Sequence, residues 1–227
     1  MIKPVVIIPL KSAAAALTRL SDRFDLRRRR GLQRAMAHDV VAAVRSLRPV
    51  PDVALLAEDP LSARRLAGRR GLVVEAALGA GLNLHLACAI PVLGVHRPGA
   101  TALVLPADIP QVQPRDIVRL LKAVDEHDLV VVPDRHGRDA NALAFRLDKP
   151  PAFAFGADSC LHHLENAERA GMTARVLELA SFALDVDTAA DLDLVLAGSG
   201  APRTRAFVCG PNGGEEGSDD DGLEAAE

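Results

Sequence analysis

The sequence contains no tryptophan and no tyrosine, and aromatic residues make up only 3% of its 227 positions. Such a chain cannot fill its interior with large rings. Its core must be built from Ala, Leu, Val and Ile, which suits layered α/β packing better than an aromatic-rich sandwich. Cysteine is scarce too: Cys88, Cys160 and Cys209 lie far apart, show no metal-ligand spacing and are odd in number. That argues against a disulfide framework and predicts buried thiols in a reducing compartment. No apolar run approaches the ~18 residues of a membrane span. The opening "MIKPVVIIPL" is too short for a signal peptide and reads as a first strand. The expected location is cytoplasmic.

Basic residues are absent from the end of the chain. From Ala206 onward there are acids at Glu215, Glu216, Asp219, Asp220, Asp221, Glu224 and Glu227, and no Lys or Arg. Without them the chain holds 27 basic against 23 acidic residues, a mildly cationic body that suits small anions without specifying one. The Gly-rich acidic tail has too little apolar material to offset its ordering entropy. The expected organisation is one domain over 1–198 and a disordered tail over 199–227.

Apolar runs alternate with helix-period segments through the rest. Strands are expected at 4–10, 52–58, 71–75, 101–107 and 128–134, with further ones at 141–147 and 174–180, one of them antiparallel. Helices are expected at 27–47, 60–69, 81–93, 114–126, 158–171 and 188–197. This order, with continuous apolar strands, predicts an α/β fold with a mostly parallel mixed sheet covered by helices on both faces. In such sheets ligands bind beyond the carboxyl ends of the strands.

The loops at those ends carry the polar residues that burial does not explain. Lys11 and Arg19 follow the first strand and can hold a triphosphate, although two surface cations would look the same. Gly81 and Asn83 open a helix, where unpaired N–H groups favour an anion and the amide can read a base or a ribose; a plain helix cap is the alternative. Asp108, in "TALVLPADIP", is a carboxylate at a strand end between two prolines. It can bind Mg²⁺, a hard ion that prefers oxygen ligands, or serve as a turn residue. Asp185 and Asp187, in "ALDVDTAADL", give a second acidic position, with only one of them expected to face the same ion. Thr188 is expected to cap the following helix. Gly156 and Ser159, in "FGADS", place backbone N–H groups and a hydroxyl at a helix start, equally a phosphate site or an ordinary cap. His162 and His163 cannot share one helix face, so at most one lines a site, and two surface residues are the alternative. The run "RRRRG" has no interleaved aromatics, so it reads as a solvated helix face and not as a nucleic-acid surface.

In order, "VVIIPLK…TRLSD", "GAGLN", "LVLPADIP", "VVVPDRHG…NALAF", "FGADS" and "LDVDTAADL" resemble the 2-phospho-L-lactate guanylyltransferase family of coenzyme F420 biosynthesis. That family includes phosphoenolpyruvate and 3-phosphoglycerate guanylyltransferases. The resemblance runs from about Pro4 to Leu196 and implies a nucleotidyltransferase fold of the glycosyltransferase-A type. It implies Mg²⁺ as cofactor, held by Asp108 with Asp187 or, as the alternative, Asp185. GTP phosphates would be gripped by Lys11 and Arg19, and the nucleoside would lie along Gly81 to Asn83. A small phosphorylated acid would sit on Gly156 and Ser159, near Asn141. The resemblance implies no nucleic-acid or membrane partner, and a product passed to the next enzyme of the pathway. The chain departs from the family pattern at three places. Leu17 stands where a lysine is usual, and Arg138, Asp139 and Ala140 replace Thr-Gly-Thr. His162 and His163 replace an Arg-His pair. Arg138 can supply the contact that the second change removes. A molybdopterin-type nucleotidyltransferase with another acceptor, and an inactive nucleotide-binding paralogue, are the competing readings.

Overall fold

The computed structural model describes residues 2–10, 17–58, 60–68, 71–75 and 81–210. Seven strands form one sheet: β1 (Val5–Leu10), β2 (Asp52–Ala57), β3 (Leu72–Glu75), β4 (Thr101–Val104), β5 (Leu129–Pro133), β6 (Ala140–Arg146) and β7 (Ala174–Val176). Their order is β3-β2-β1-β4-β6-β5-β7. Only β6 runs against its neighbours, pairing antiparallel with both β4 and β5. The remaining pairs are parallel, as continuous apolar strands require when both faces are covered.

Side chains alternate between two cores. Val6, Ile8, Leu55, Leu103 and Val130 pack on one face, against buried residues of helices α1 (Leu26–Arg45) and α4 (Pro114–Ala123). Ile7, Leu56, Val104, Val131 and Phe145 pack on the other, against α3 (Leu82–His96) and α5 (Ser159–Arg169). Aliphatic residues dominate both cores, as the missing Trp and Tyr require. A smaller helix, α2 (Pro60–Ala67), links β2 to β3.

The folded part extends beyond the expected boundary at residue 198. After α6 (Ala189–Ala197) comes a further helix, α7 (Pro202–Cys209). Proline at its first turn is preset for a helix. Its cap comes from another element: the buried Asp39 carboxylate of α1 accepts from Arg203 N (3.0 Å), Thr204 N (2.9 Å) and Thr204 Oγ1 (2.8 Å). Further along, the Phe207 ring lies against Gly31, where an added Cβ would sit 2.5 Å from two ring carbons. A non-local cap and a glycine seat therefore hold this helix, and neither shows in its own composition. The tail beyond Gly210 lies outside the described residues.

The expected strand at 101–107 ends at Val104, because Pro106 has no N–H to continue the ladder, although Leu105 N still donates to Ile7 O (2.9 Å). The strand expected at 174–180 stops at Val176. Cys160 is buried as expected, whereas Cys88 and Cys209 are exposed. Among the described residues, no helix is long and apolar enough to cross a membrane.

Candidate functional site

The connections β1–β2–β3 leave β1 on one side and β4 returns on the other, so the sheet has its switch point between β1 and β4. A cavity of about 710 Å³ opens there. Asp108 enters it from the β4 loop, Asp185 from the segment before α6, and Asn141 from β6. Gly81, at the start of α3, and Gly156 with Ser159, at the start of α5, line it from the opposite face of the sheet.

The two acidic loops are stitched by backbone. Val186 N donates to Asp108 O at 2.9 Å, which fixes the flanking Asp185 beside Asp108. Burial pushes the Asp185 carboxyl up from its ordinary value, and the charges of Asp108 and then Asp187 push it further. The Asn141 amide opposes this by donating to Asp185 Oδ1 (3.4 Å) while also donating to Phe182 O (2.8 Å). Carboxylates crowded in this way favour a bound cation.

Asp187 takes another direction. Its carboxylate accepts from Arg19 Nη1 at 3.1 Å, and neither residue lines the cavity. The reason lies in the turn that follows. Asp191, buried in the first turn of α6, accepts from Thr188 N (2.8 Å), Thr188 Oγ1 (2.8 Å) and Asp187 N (3.3 Å). Arg135 adds a fourth bond from Nη2 at 2.7 Å. Thr188 caps α6 as expected, in a reciprocal capping box with Asp191. The residue alone told of the cap; the T-x-x-D spacing in "DTAADL" was the available signal for Asp191.

Three other expected site residues have structural partners. The Asn83 side chain donates to Phe155 O (3.0 Å) and accepts from Phe155 N (2.8 Å), and it does not line the cavity. Arg138 likewise lies outside the lining and bonds Asp158 Oδ1 from Nε (2.9 Å) and Nη2 (2.8 Å). The buried Ser159 hydroxyl reaches the cavity but also accepts from Ala140 N (2.8 Å), tying α5 to β6. Leu17, at the expected lysine position, lines the cavity with φ 52°. Lys11 lies outside the described residues. His163 corrects the surface reading: it is fully buried, while His162 is exposed.

A metal can be tested against this donor set. Among the described residues no group of three or more His, Cys, Asp or Glu side chains is placed to hold an ion. Four acidic residues line the cavity, Glu58, Asp108, Asp139 and Asp185. Of these, Asp108 acts on Asp185 through its charge, which makes those two the candidate pair. That set fits Mg²⁺, which takes one or two carboxylates and fills its octahedron with water and substrate phosphate, and does not fit a closed structural site.

Residues 4–209 match the family described as "Guanylyl transferase CofC like". The chain belongs to this family. Curated relatives agree: a phosphoenolpyruvate guanylyltransferase of Streptomyces coelicolor is 35% identical over 203 residues, 89% of this chain and 94% of that one. Another, from Conexibacter woesei, is 34% identical over 211 residues, 89% and 93% of the two chains. Solved structures share the fold at lower identity. A Desulfovibrio desulfuricans protein assigned to the nucleotide-diphospho-sugar transferases superposes with a TM-score of 0.70 at 18% identity, covering 86% of this chain and 87% of its own. The 4-diphosphocytidyl-2C-methyl-D-erythritol synthase of Anaerococcus prevotii gives 0.57 at 10% identity, covering 86% and 97%. The α/β nucleotidyltransferase fold of this guanylyltransferase-family enzyme is therefore established, and it matches the sequence reading.

Proposed function

We propose that this enzyme transfers GMP from GTP to the phosphate of phosphoenolpyruvate in coenzyme F420 biosynthesis, with Mg²⁺ held by Asp108 and Asp185. The observation that carries the reading is the Asp108–Asp185 pair at the sheet's switch point, in one cavity with the starts of α3 and α5. The names of the Streptomyces and Conexibacter relatives favour phosphoenolpyruvate over 2-phospho-L-lactate and 3-phosphoglycerate.

The chemistry needs no catalytic base. A phosphate monoester has a second pKa near ~6, so its oxygen is already ionised at neutral pH. That oxygen attacks the α-phosphorus of GTP, the bond from the α-phosphorus to the bridging oxygen of the β-phosphate breaks, and pyrophosphate leaves. The protein must hold two mutually repelling anions in line and offset charge on the leaving group. When bound, Mg²⁺ would supply positive charge to the phosphates. Backbone N–H groups at the start of α3 beside Gly81 favour the nucleotide's phosphates. At the start of α5, where Ser159 N and Cys160 N already donate to Gly156 O and Arg138 O, the Ser159 hydroxyl is the donor offered to the acceptor acid. Asn141 orients Asp185 through its amide. Arg19 pairs with Asp187 outside the cavity lining, which leaves Lys11 as the cation proposed for the triphosphate.

Pyrophosphate release from the purified protein with GTP and Mg²⁺ tests this, run separately with the three acids. Release with phosphoenolpyruvate alone is expected. Release with another acid would reassign the acceptor. Silence with all three from protein that binds GTP would reject the reading in favour of a different acceptor or a binding-only paralogue.

A further inference from the structure

The segment from Pro151 to Asp158, between β6 and α5, belongs to no strand or helix, yet Phe155 and Gly156 form part of the cavity wall. Phe153, Ala154 and Phe155 are half-buried, and a partly buried stretch without a ladder needs other partners for its backbone groups. Here side chains from two helices supply them. Asn83, in the first turn of α3, takes both backbone groups of Phe155, as a neighbouring strand would. His163, on α5, bonds at both ring nitrogens: Nδ1 lies 2.6 Å from Ser159 O, and Ala154 N donates to Nε2 at 2.9 Å. A carbonyl only accepts, so Nδ1 carries the proton and Nε2 is the acceptor. The Phe155 ring meets the imidazole edge-on, with centroids 5.0 Å apart. The clamped stretch then turns through Gly156 (φ 138°) and Asp158 (φ 55°), conformations that side-chain-bearing residues rarely adopt.

We propose that His163 and Asn83 are positioning residues that clamp Ala154 and Phe155 and so shape the acceptor-binding wall of the cavity. The proposal rests on reading this cavity as the guanylyltransferase site. Neither side chain touches the reacting groups; each acts through the backbone it holds. Burial pushes the His163 imidazole below its ordinary pKa, which keeps Nε2 unprotonated and able to accept. The clamp defines ground-state contacts to the acceptor, so its loss raises KM for that substrate and leaves kcat and the GTP affinity largely in place.

The test separates the two bonds of the ring. His163→Gln puts a carbonyl oxygen near the position of Nε2 and keeps an acceptor for Ala154 N–H. His163→Ala removes it. Expected results are an acceptor KM raised about tenfold or more in His163→Ala, with kcat and GTP affinity within about threefold of wild type, and recovery to within about threefold in His163→Gln. Asn83→Ala, the second variant should His163→Ala fail to fold, gives the same pattern. Amide exchange at Ala154 and Phe155 supplies a readout that does not depend on substrate: protection falls in His163→Ala and returns in His163→Gln. An unchanged acceptor KM, an equal fall of kcat in both His163 variants, or unchanged amide protection would overturn the clamp. If wild type turns over none of the three acids, the cavity reading fails by itself, and the exchange measurement alone then decides whether the clamp exists.

Discussion

Replacing Asp191 by alanine should both destabilise the protein and disturb its acidic site. The carboxylate is 4% exposed as a residue and accepts four hydrogen bonds, from Thr188 N, Thr188 Oγ1, Asp187 N and Arg135 Nη2. A hydrogen bond to a charged group contributes about 1.5–3 kcal/mol, and a helix cap about 1 kcal/mol. These terms overlap and are not additive. Arg135 is 38% exposed at its side chain, so water partly replaces the lost ion pair, and the full cost of stranding a buried charge does not apply. A loss of about 3 kcal/mol is the resulting expectation. With a urea m-value near 2 kcal/mol/M, the unfolding midpoint moves down by about 1.5 M. Asp191→Asn keeps an acceptor oxygen and loses the charge, so it should move the midpoint less than half as far. Burial alone would raise the Asp191 carboxyl, but its bonds from Thr188 and Arg135 outweigh this and hold it below the ordinary value. A depressed carboxylate contributes stability above its unfolded pKa of about 3.9 and loses it as pH falls through the folded value. The gap between wild type and Asp191→Ala must therefore shrink on acidification below about pH 4. Because Asp191 also fixes Asp187 N and Thr188, kcat/KM should fall about tenfold, equivalent to ~1.4 kcal/mol of transition-state stabilisation. A midpoint within about 0.3 M of wild type, or a gap that widens in acid, would refute the reasoning.

Asp108→Asn should abolish Mg²⁺-dependent pyrophosphate release without lowering Tm, because removing its charge relieves the repulsion on Asp185; full turnover would remove the metal role assigned to it. Asp39→Ala should cost about 2–3 kcal/mol in urea unfolding, since the buried Thr204 N–H and hydroxyl lose their acceptor. Equal stability would show that α7 contributes little to the fold. Gly31→Val should destabilise by about 2 kcal/mol, because overpacking against the Phe207 ring, about 1–3 kcal/mol, exceeds the helix-propensity gain of a few tenths over glycine. A stabilised variant, read by thermal unfolding, would mean that the ring moves aside without cost.

The sheet was legible because its signal is local. Continuous apolar runs at Val5–Leu10 and Leu129–Pro133 have few alternatives once no aromatic-rich sandwich is available, and Asp108 stands out as a charge at the end of such a run. What escaped the sequence depends on contacts between distant residues. Nothing in "PRTRAFVC" announces a helix whose cap is Asp39 and whose seat is Gly31, 164 and 176 positions away from Arg203 and Phe207. Asn83 had the composition of a ligand-binding residue and is used as a backbone surrogate. His163, beside an exposed histidine, looked like surface and is core. A polar side chain near a cavity can touch the ligand or hold the wall that does, and the two roles have the same residue types. Asp185 and Asp187 show the same ambiguity within three residues: one lines the cavity and the other meets Arg19, a choice made by Asp191 and the Val186–Asp108 bond. Which polar residues face this cavity is therefore set less by which of them are present than by which have partners that hold them out of its lining.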